Sequence, residues 1–516
     1  MIRYTSQNQL SFENFQTPFE RTLDPNNRWV KLAGLIPWDE IAQIYFRSLS
    51  PGKGRPSIDA RVVIGSIIVK HRLKLSDRET IEMIQENIYL QYFLGYASFN
   101  PDPPFDASLF VTLRKRMGAD KFDEMSCRII EKAKGIKKPK PDEKKDPPEE
   151  ELSSQEDAAE SQTKHKGKLK LDATVADQMI EYPTDLKLLN QARLESERII
   201  DILYKQSNRW IKPRTYRRNA RNQYLAIAKK RGKSRQVIRR GLRQQLGYVR
   251  RNFKTIEKLL DELQARPFPL VFRDLKIYWV IQHVYAQQKF MYDHKVKRHP
   301  DRIVNIYQPY VRPIPRGKDK GKTEFGAKLG VSEFDGFCRL DHISWDAYNE
   351  CGDLIEQVKA YKTLHGYFPE VVLVDRIYLT RANRKWLKSK GIRHIGQPLG
   401  RPKPLSAYFK RKLRKERNMR NHVEGKFGQG KNAYELSRIR ARRQDTSESW
   451  ISAIFLVMNL MRWLKIQPAI IWLIISQILW WLVIFSPKKA QPLRPNGQRG
   501  WYLELIPVHK QLNVLH

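Results

Sequence analysis

Apolar residues along this chain fall into three regimes. In the first 133 residues they recur at mixed three- and four-residue spacing. Val62, Val63, Ile64, Ile67 and Ile68 are followed by Ile81, Ile84, Ile88 and Leu90, an amphipathic helical period. Between the two groups stands Ser76-Asp77-Arg78-Glu79, with a serine cap and a glutamate three residues on, which predicts a helix start. A third helix is expected from Asp106-Ala107-Ser108 to Arg114-Lys115-Arg116. Three short helices with exposed basic ends suit a helix-turn-helix-like DNA contact, with a small dimerising bundle as the alternative. Residues 134–168 lose all apolar period. From Asp142 to Glu160 they hold nine acids against two lysines, which predicts a disordered linker.

Beyond the linker the pattern changes to alternating strands and helices. Leu169-Lys170-Leu171-Asp172-Ala173-Thr174-Val175 reads as a strand. Residues 186–300 read as helices. EFGAKLGVSEF and GFCRLDHISW predict two strands joined at Asp335-Gly336, a hairpin dipeptide. DLIEQVKAYKTLHG predicts a helix ending at Gly366, VVLVD a strand buried on both faces, RANRKWLKSKG a helix closed by Gly391, and IRHIGQPL a further strand. Residues 408–443 are basic and helical in period, although Gly425, Gly428 and Gly430 could break the helix. The expected fold class is α/β, behind an all-helical amino-terminal domain and with a basic helical insertion. Ile466 to Pro487 are uncharged and bear tryptophans. This run reads as a buried helix and apolar tail (466–516), with a membrane span as the alternative.

Charge narrows the function. Of 516 residues, 96 are Lys or Arg and 55 are Asp or Glu, a formal net charge of +41. Such an excess sets aside an ordinary neutral metabolic enzyme and points to a polyanion partner. Arg209 to Lys254 holds 17 Lys or Arg and no acid, interleaved with tyrosines. A merely solvated basic helix carries glutamates for pairing, so this stretch points to phosphate contact through Arg217, Arg218, Arg239, Arg240, Arg250 and Arg251. The three cysteines, Cys127, Cys338 and Cys351, form no CxxC pair, and the amino terminus lacks an apolar signal core. Both features fit a cytoplasmic, nucleoid-associated protein.

Three carboxylates carry the chemistry. Asp172 lies in the first strand, Asp375 at the carboxyl end of the buried strand, and Glu424 in the basic helix. Brought into one cleft they would repel, and hard divalent cations relieve that repulsion. Two such ions activate a water or a 3′-hydroxyl and stabilise the leaving oxygen of a phosphodiester. Arg420 and Lys431 share the helical face of Glu424 if the helix survives its glycines. Asp177, Asp185, Asp341 and Asp346 are rival carboxylates, Asp177 foremost. His342, His394 and His422 share no ligand spacing, and no phosphate-binding loop of the Walker type occurs.

The pattern Arg420-x3-Glu424-x6-Lys431 resembles the third-carboxylate signature of DDE-class insertion-sequence transposases. LDATVAD with Asp172 and VVLVDRIY with Asp375 are similar to that family's first two aspartate segments. VRPIPRGK, EFGAK and DHISWDAYNE resemble one branch of it, and GRPSIDARVVIGSIIVKHRLKLSDRETIE resembles its InsH-like domain. Arg417 stands where related signatures often have tyrosine. The resemblance implies an RNase H-like core over 169–465, with Asp172, Asp375 and Glu424 as catalytic and metal-binding residues around two Mg2+ (or Mn2+) ions. It also implies binding to terminal inverted repeats and target DNA, here expected of a homodimer without an obligate protein partner or membrane anchor. A nuclease of the same fold, or a DNA-binding protein that has lost catalysis, is the competing expectation.

Overall fold

The computed structural model describes residues 22–49, 56–136, 165–264, 267–315, 323–396 and 406–484, with side chains described up to 467. Residues 1–465 form one compact unit and 466–516 a second. The expected linker disorder and most of the apolar tail lie outside the described residues.

Six helices build the amino-terminal part: α1 (Arg28–Leu35), α2 (Trp38–Phe46), α3 (Ala60–Leu73), α4 (Asp77–Glu86), α5 (Ile88–Phe93) and α6 (Leu109–Lys134). The predicted start at Ser76 is a complete capping box. Its hydroxyl accepts from the Glu79 N–H, and the Glu79 carboxylate accepts from the Ser76 N–H. The third predicted helix differs. It does not stop at Arg116 but kinks at Gly118 (φ +65°) and continues to Lys134. Its basic end is exposed at Lys115 and Arg116 but not at Arg114. Arg114 is buried, bonds Asp77 with both amino groups (3.0 and 2.8 Å) and lies over the Trp450 ring at 5.1 Å. Lys70 pairs with the same aspartate at 2.9 Å and sits 4.4 Å from the same ring. An aromatic face and a carboxylate supplied from elsewhere draw these cations inward.

The sheet follows the predicted strands. β1 (Lys168–Asp177) lies between β3 (Glu324–Phe334), antiparallel, and β5 (Val371–Leu373), parallel. β3 also pairs with β2 (Arg312–Ile314) and, through the Asp335-Gly336 hairpin, with β4 (Phe337–Ser344); β6 (Arg393–His394) closes the far side of β5. The helix expected up to Gly366 is Leu354–His365, capped by that glycine at φ +80°. The helix expected before Gly391 is Arg381–Ser389.

Four helices fill the insertion: Asp185–Gln206, Arg217–Ala228, Arg235–Leu263 and Phe272–Asp293. They enclose their own core, with Ile199, Ile200, Leu203, Val249, Ile256, Ile281 and Val284 all fully buried. The basic helix of the third carboxylate runs unbroken from Ala407 to Ala433, across all three glycines. Gly430 is explained by packing, since a Cβ there would lie 3.2 Å from Leu436 and 3.4 Å from Met458. The last helix, Gln444–Ile484, contains the one described stretch long and apolar enough for a membrane, Gln444–Gln467, and most of it is buried within the protein.

Candidate active site

Register places the first two carboxylates. Lys168 pairs with Val371 and Lys170 with Leu373, a constant offset of 371 − 168 = 203. Asp172 and Asp375 differ by the same 203, so extension of the ladder sets them side by side. The backbone stays extended at Asp375 (φ −74°, ψ 163°) although the strand has ended. Alternation then directs both to the face that bears Lys170 and Leu373. Each carboxylate is pinned by the amide that follows it: Asp172 Oδ1 accepts from Ala173 N–H at 2.9 Å, and Asp375 Oδ1 from Arg376 N–H at 2.8 Å.

The helix Ala407–Ala433 covers that face. Met419 packs on Val371, Leu373 and Ile395, and Val423 is fully buried. Beside this seam Arg420 bridges two of the three acids, 3.6 Å from Asp172 Oδ2 and 3.2 Å from Glu424 Oε1. Asp172 and Glu424 therefore share one guanidinium. Burial pushes the Asp172 carboxyl up to about 6, against the opposing pull of the Ala173 amide and Arg420; the charges of Glu350 and Glu424 push the same way as burial. Burial outweighs both opposing contacts.

Lys431 also lies on this flank, but its ammonium is committed to the sheet, 3.1 Å from Glu324 and 3.9 Å from Asp177. Asp177, the foremost rival, thus anchors the helix. Arg417 is exposed on the same flank, one turn before Arg420. The remaining rivals are tied elsewhere. Asp341 is buried against Ser332, Arg339 and Gln357, Asp185 bonds Arg302 and Gln288, and Asp346 lies 3.6 Å from Arg312. His342 meets Asp353 at 2.9 Å.

Sequence reasoning missed Glu350, the fourth acid of the neighbourhood. It starts the short turn Glu350–Gly352, and Lys328 of β3 holds it at 2.8 Å. Asn383 joins this turn to the one after Asp375, donating to Cys351 O (2.7 Å) and Tyr378 O (2.8 Å). Tyr378 is fully buried and its hydroxyl has no hydrogen-bond partner; burial and the negative charges of Glu350 and Asp172 push its proton affinity up. The signal was present in DHISWDAYNE, but no spacing rule links Glu350 to Asp172 because the two meet only across the sheet.

The acids are all oxygen donors, and that donor chemistry suits a hard divalent cation. Among the described residues no group of three or more His, Cys, Asp or Glu is drawn close enough to hold one. Arg420 supplies the positive charge between Asp172 and Glu424.

Residues 372–461 match a family model described as a transposase DDE domain, and residues 17–116 match one described as a transposase domain (DUF772). The first match spans Asp375, Arg420, Glu424 and Lys431; the second spans α1 to the first turns of α6. Both matches make the chain similar to the DDE-class insertion-sequence transposases. The family is one of metal-dependent polynucleotidyl transferases and implies an RNase H-like catalytic core. A curated relative from Rhizobium meliloti, titled "Uncharacterized protein ORF8 in nfe locus", is 34% identical over 122 residues, 23% of this chain and 57% of the relative. The chain thus spans little more than half the length of that relative. No solved structure matches it.

The cations expected in the helical insertion divide into two sets. Arg217 is held by Asp201 and Glu197, Arg239 bonds Tyr292 O at 3.0 Å, and Arg251 lies between the rings of Tyr216 and Tyr248 at 5.0 and 4.7 Å. Arg218, Arg240 and Arg250 are exposed.

Proposed function

We infer that this chain is a DNA transposase that holds the terminal inverted repeats of its element and cuts and joins phosphodiesters at Asp172, Asp375 and Glu424. The observation that carries the reading is the shared 203-residue offset, with Asp172 and Asp375 level on parallel strands and Arg420 joining Asp172 to Glu424. The three carboxylates would hold two Mg2+ or Mn2+ ions, whose chemistry there would be to polarise a water or 3′-hydroxyl and to stabilise the leaving oxygen.

The chain's own residues set up that chemistry. The Ala173 and Arg376 amides fix the rotation of the two aspartates through their Oδ1 atoms, and Arg420 faces Asp172 Oδ2. Arg420 offsets the repulsion between Asp172 and Glu424. Lys431 clamps the helix of Glu424 to β1 and β3 and keeps a positive charge beside the substrate path. Arg417 meets flanking DNA. Exposed Arg218, Arg240 and Arg250 contact backbone phosphates, and Arg217, Arg239 and Arg251 brace the helices that present them. The InsH-like helices contact the element ends, the active species is a homodimer, and it works in the cytoplasm at the nucleoid.

The test incubates the protein, Mg2+ or Mn2+ and a labelled element end with a target plasmid. Joined product supports transposition. Cut ends without joining support a nuclease instead, and DNA binding without cutting in either metal leaves a binding protein that has lost catalysis.

A further inference from the structure

A cavity of about 580 Å3 lies beside the catalytic helix, on the flank opposite Glu424. His422, Gly425, Lys426 and Gln429 form one wall, Lys170 and the Glu333–Gly336 hairpin the other, and Arg462 closes it from the last helix. The acids here are already matched. Glu333 bonds the Lys170 ammonium and accepts from Gly336 N–H at 2.7 Å, and Asp335 pairs with Lys134.

The remaining cations are not matched. Arg462 donates one N–H to Asp335 O at 3.1 Å, while its Nε is buried with no hydrogen-bond partner. Among the described residues the Lys426 ammonium meets only a neutral amide oxygen, Gln429 Oε1 at 3.5 Å. Both cations are half-buried at this cavity, and neither forms an ion pair with its two acids, so an anion would complete the site.

The glycines support the same conclusion. Gly336 (φ +86°) admits Arg462, because a Cβ there would lie 2.4 Å from Arg462 Nε. Gly425 has no such explanation. A Cβ there would meet nothing within 4 Å, and a glycine inside a helix costs about 1 kcal/mol relative to alanine. Its bare backbone lines the cavity and leaves room for a ligand at the helix.

We propose that this cavity is a phosphate-binding site, in which Lys426 and Arg462 hold one phosphate group of a nucleic-acid strand or nucleotide on the side of the catalytic helix away from Glu424. The site is separate from the catalytic carboxylates and needs no metal.

Binding of inorganic phosphate, a deoxynucleoside 5′-monophosphate and a short single-stranded oligonucleotide is measured with the full chain in EDTA by equilibrium dialysis. Saturable phosphate binding is expected. It should weaken about tenfold or more in Lys426→Gln and in Arg462→Lys, and persist in Lys385→Gln, an exposed lysine outside both sites. Displacement of phosphate by the oligonucleotide identifies a strand as the source, and displacement by the mononucleotide alone identifies a free nucleotide. Circular dichroism checks the fold of each variant, and Lys426→Gln, on the half-exposed helix, keeps the test open if Arg462→Lys fails to fold. Absence of saturable binding overturns the proposal, as does equal weakening in Lys385→Gln and Lys426→Gln. A wild-type protein that binds phosphate but never cuts DNA overturns the transposase reading and leaves this site standing.

Discussion

The carboxylate site and the helical insertion use charge in opposite ways. At the site, few groups matter and each is fixed by backbone: strand register sets Asp172 beside Asp375, and the following amides hold their side chains. In the insertion, many like charges ride on helices that pack around a separate apolar core. There composition reveals an affinity for phosphate but not which arginine meets it. Arg217 and Arg239 are spent within the protein, whereas Arg240 and Arg250 face outward. Charges held by register are therefore individually indispensable, and charges spread over a helical surface are individually dispensable.

The strongest challenge to that contrast is removal of one carboxylate. Asp172→Ala, Asp375→Ala or Glu424→Ala should each lower strand cleavage by about 10³-fold or more and leave DNA affinity within about threefold. Gel analysis of a labelled element end, with filter binding alongside, reads both quantities. Substantial cleavage by any of the three removes that residue from the site.

A cation inside the core should behave like the site and not like the insertion. Arg114→Ala leaves Asp77 with Lys70 alone and removes one of the two cations over Trp450, so a loss of about 2–3 kcal/mol is expected in urea unfolding. A loss below about 1 kcal/mol would place Arg114 among the dispensable surface charges.

Asp172 also links the site to pH. Its folded value of about 6 exceeds the ordinary carboxylate value of 3.8, so the folded state binds the proton more tightly. That stabilisation is complete below about pH 4 and disappears as pH rises through about 6. Asp172→Asn should therefore unfold like the wild type near pH 4 and be more stable by up to roughly 3 kcal/mol near pH 8. Thermal unfolding across that range checks it, and a constant difference would refute the linkage.

The smallest effects belong to the outward arginines. Arg240→Gln and Arg250→Gln should each weaken DNA binding about threefold and flatten the salt dependence by about one unit of slope, with stability unchanged. Arg217→Gln should chiefly lower stability, because Asp201 and Glu197 each lose one of two partners. If all three variants act alike, the division of the insertion into two sets is wrong.

Sequence alone determined the elements of this protein. The capping box at Ser76, the Asp335-Gly336 hairpin, the buried Val371–Leu373 strand and the helix stop at Gly366 follow from local rules of hydrogen bonding and backbone freedom, which act within a few residues. Periodicity likewise placed Arg420, Glu424 and Lys431 on one flank, and the helix kept that flank intact. Only the tertiary structure decided which charges face one another. It turned Arg114 inward onto Asp77 and Trp450, gave Lys431 to Glu324, and brought Glu350 and Tyr378 to Asp172. Those pairings join residues up to hundreds of positions apart, and electrostatic and desolvation energies depend on distance in space, which no spacing along the chain encodes.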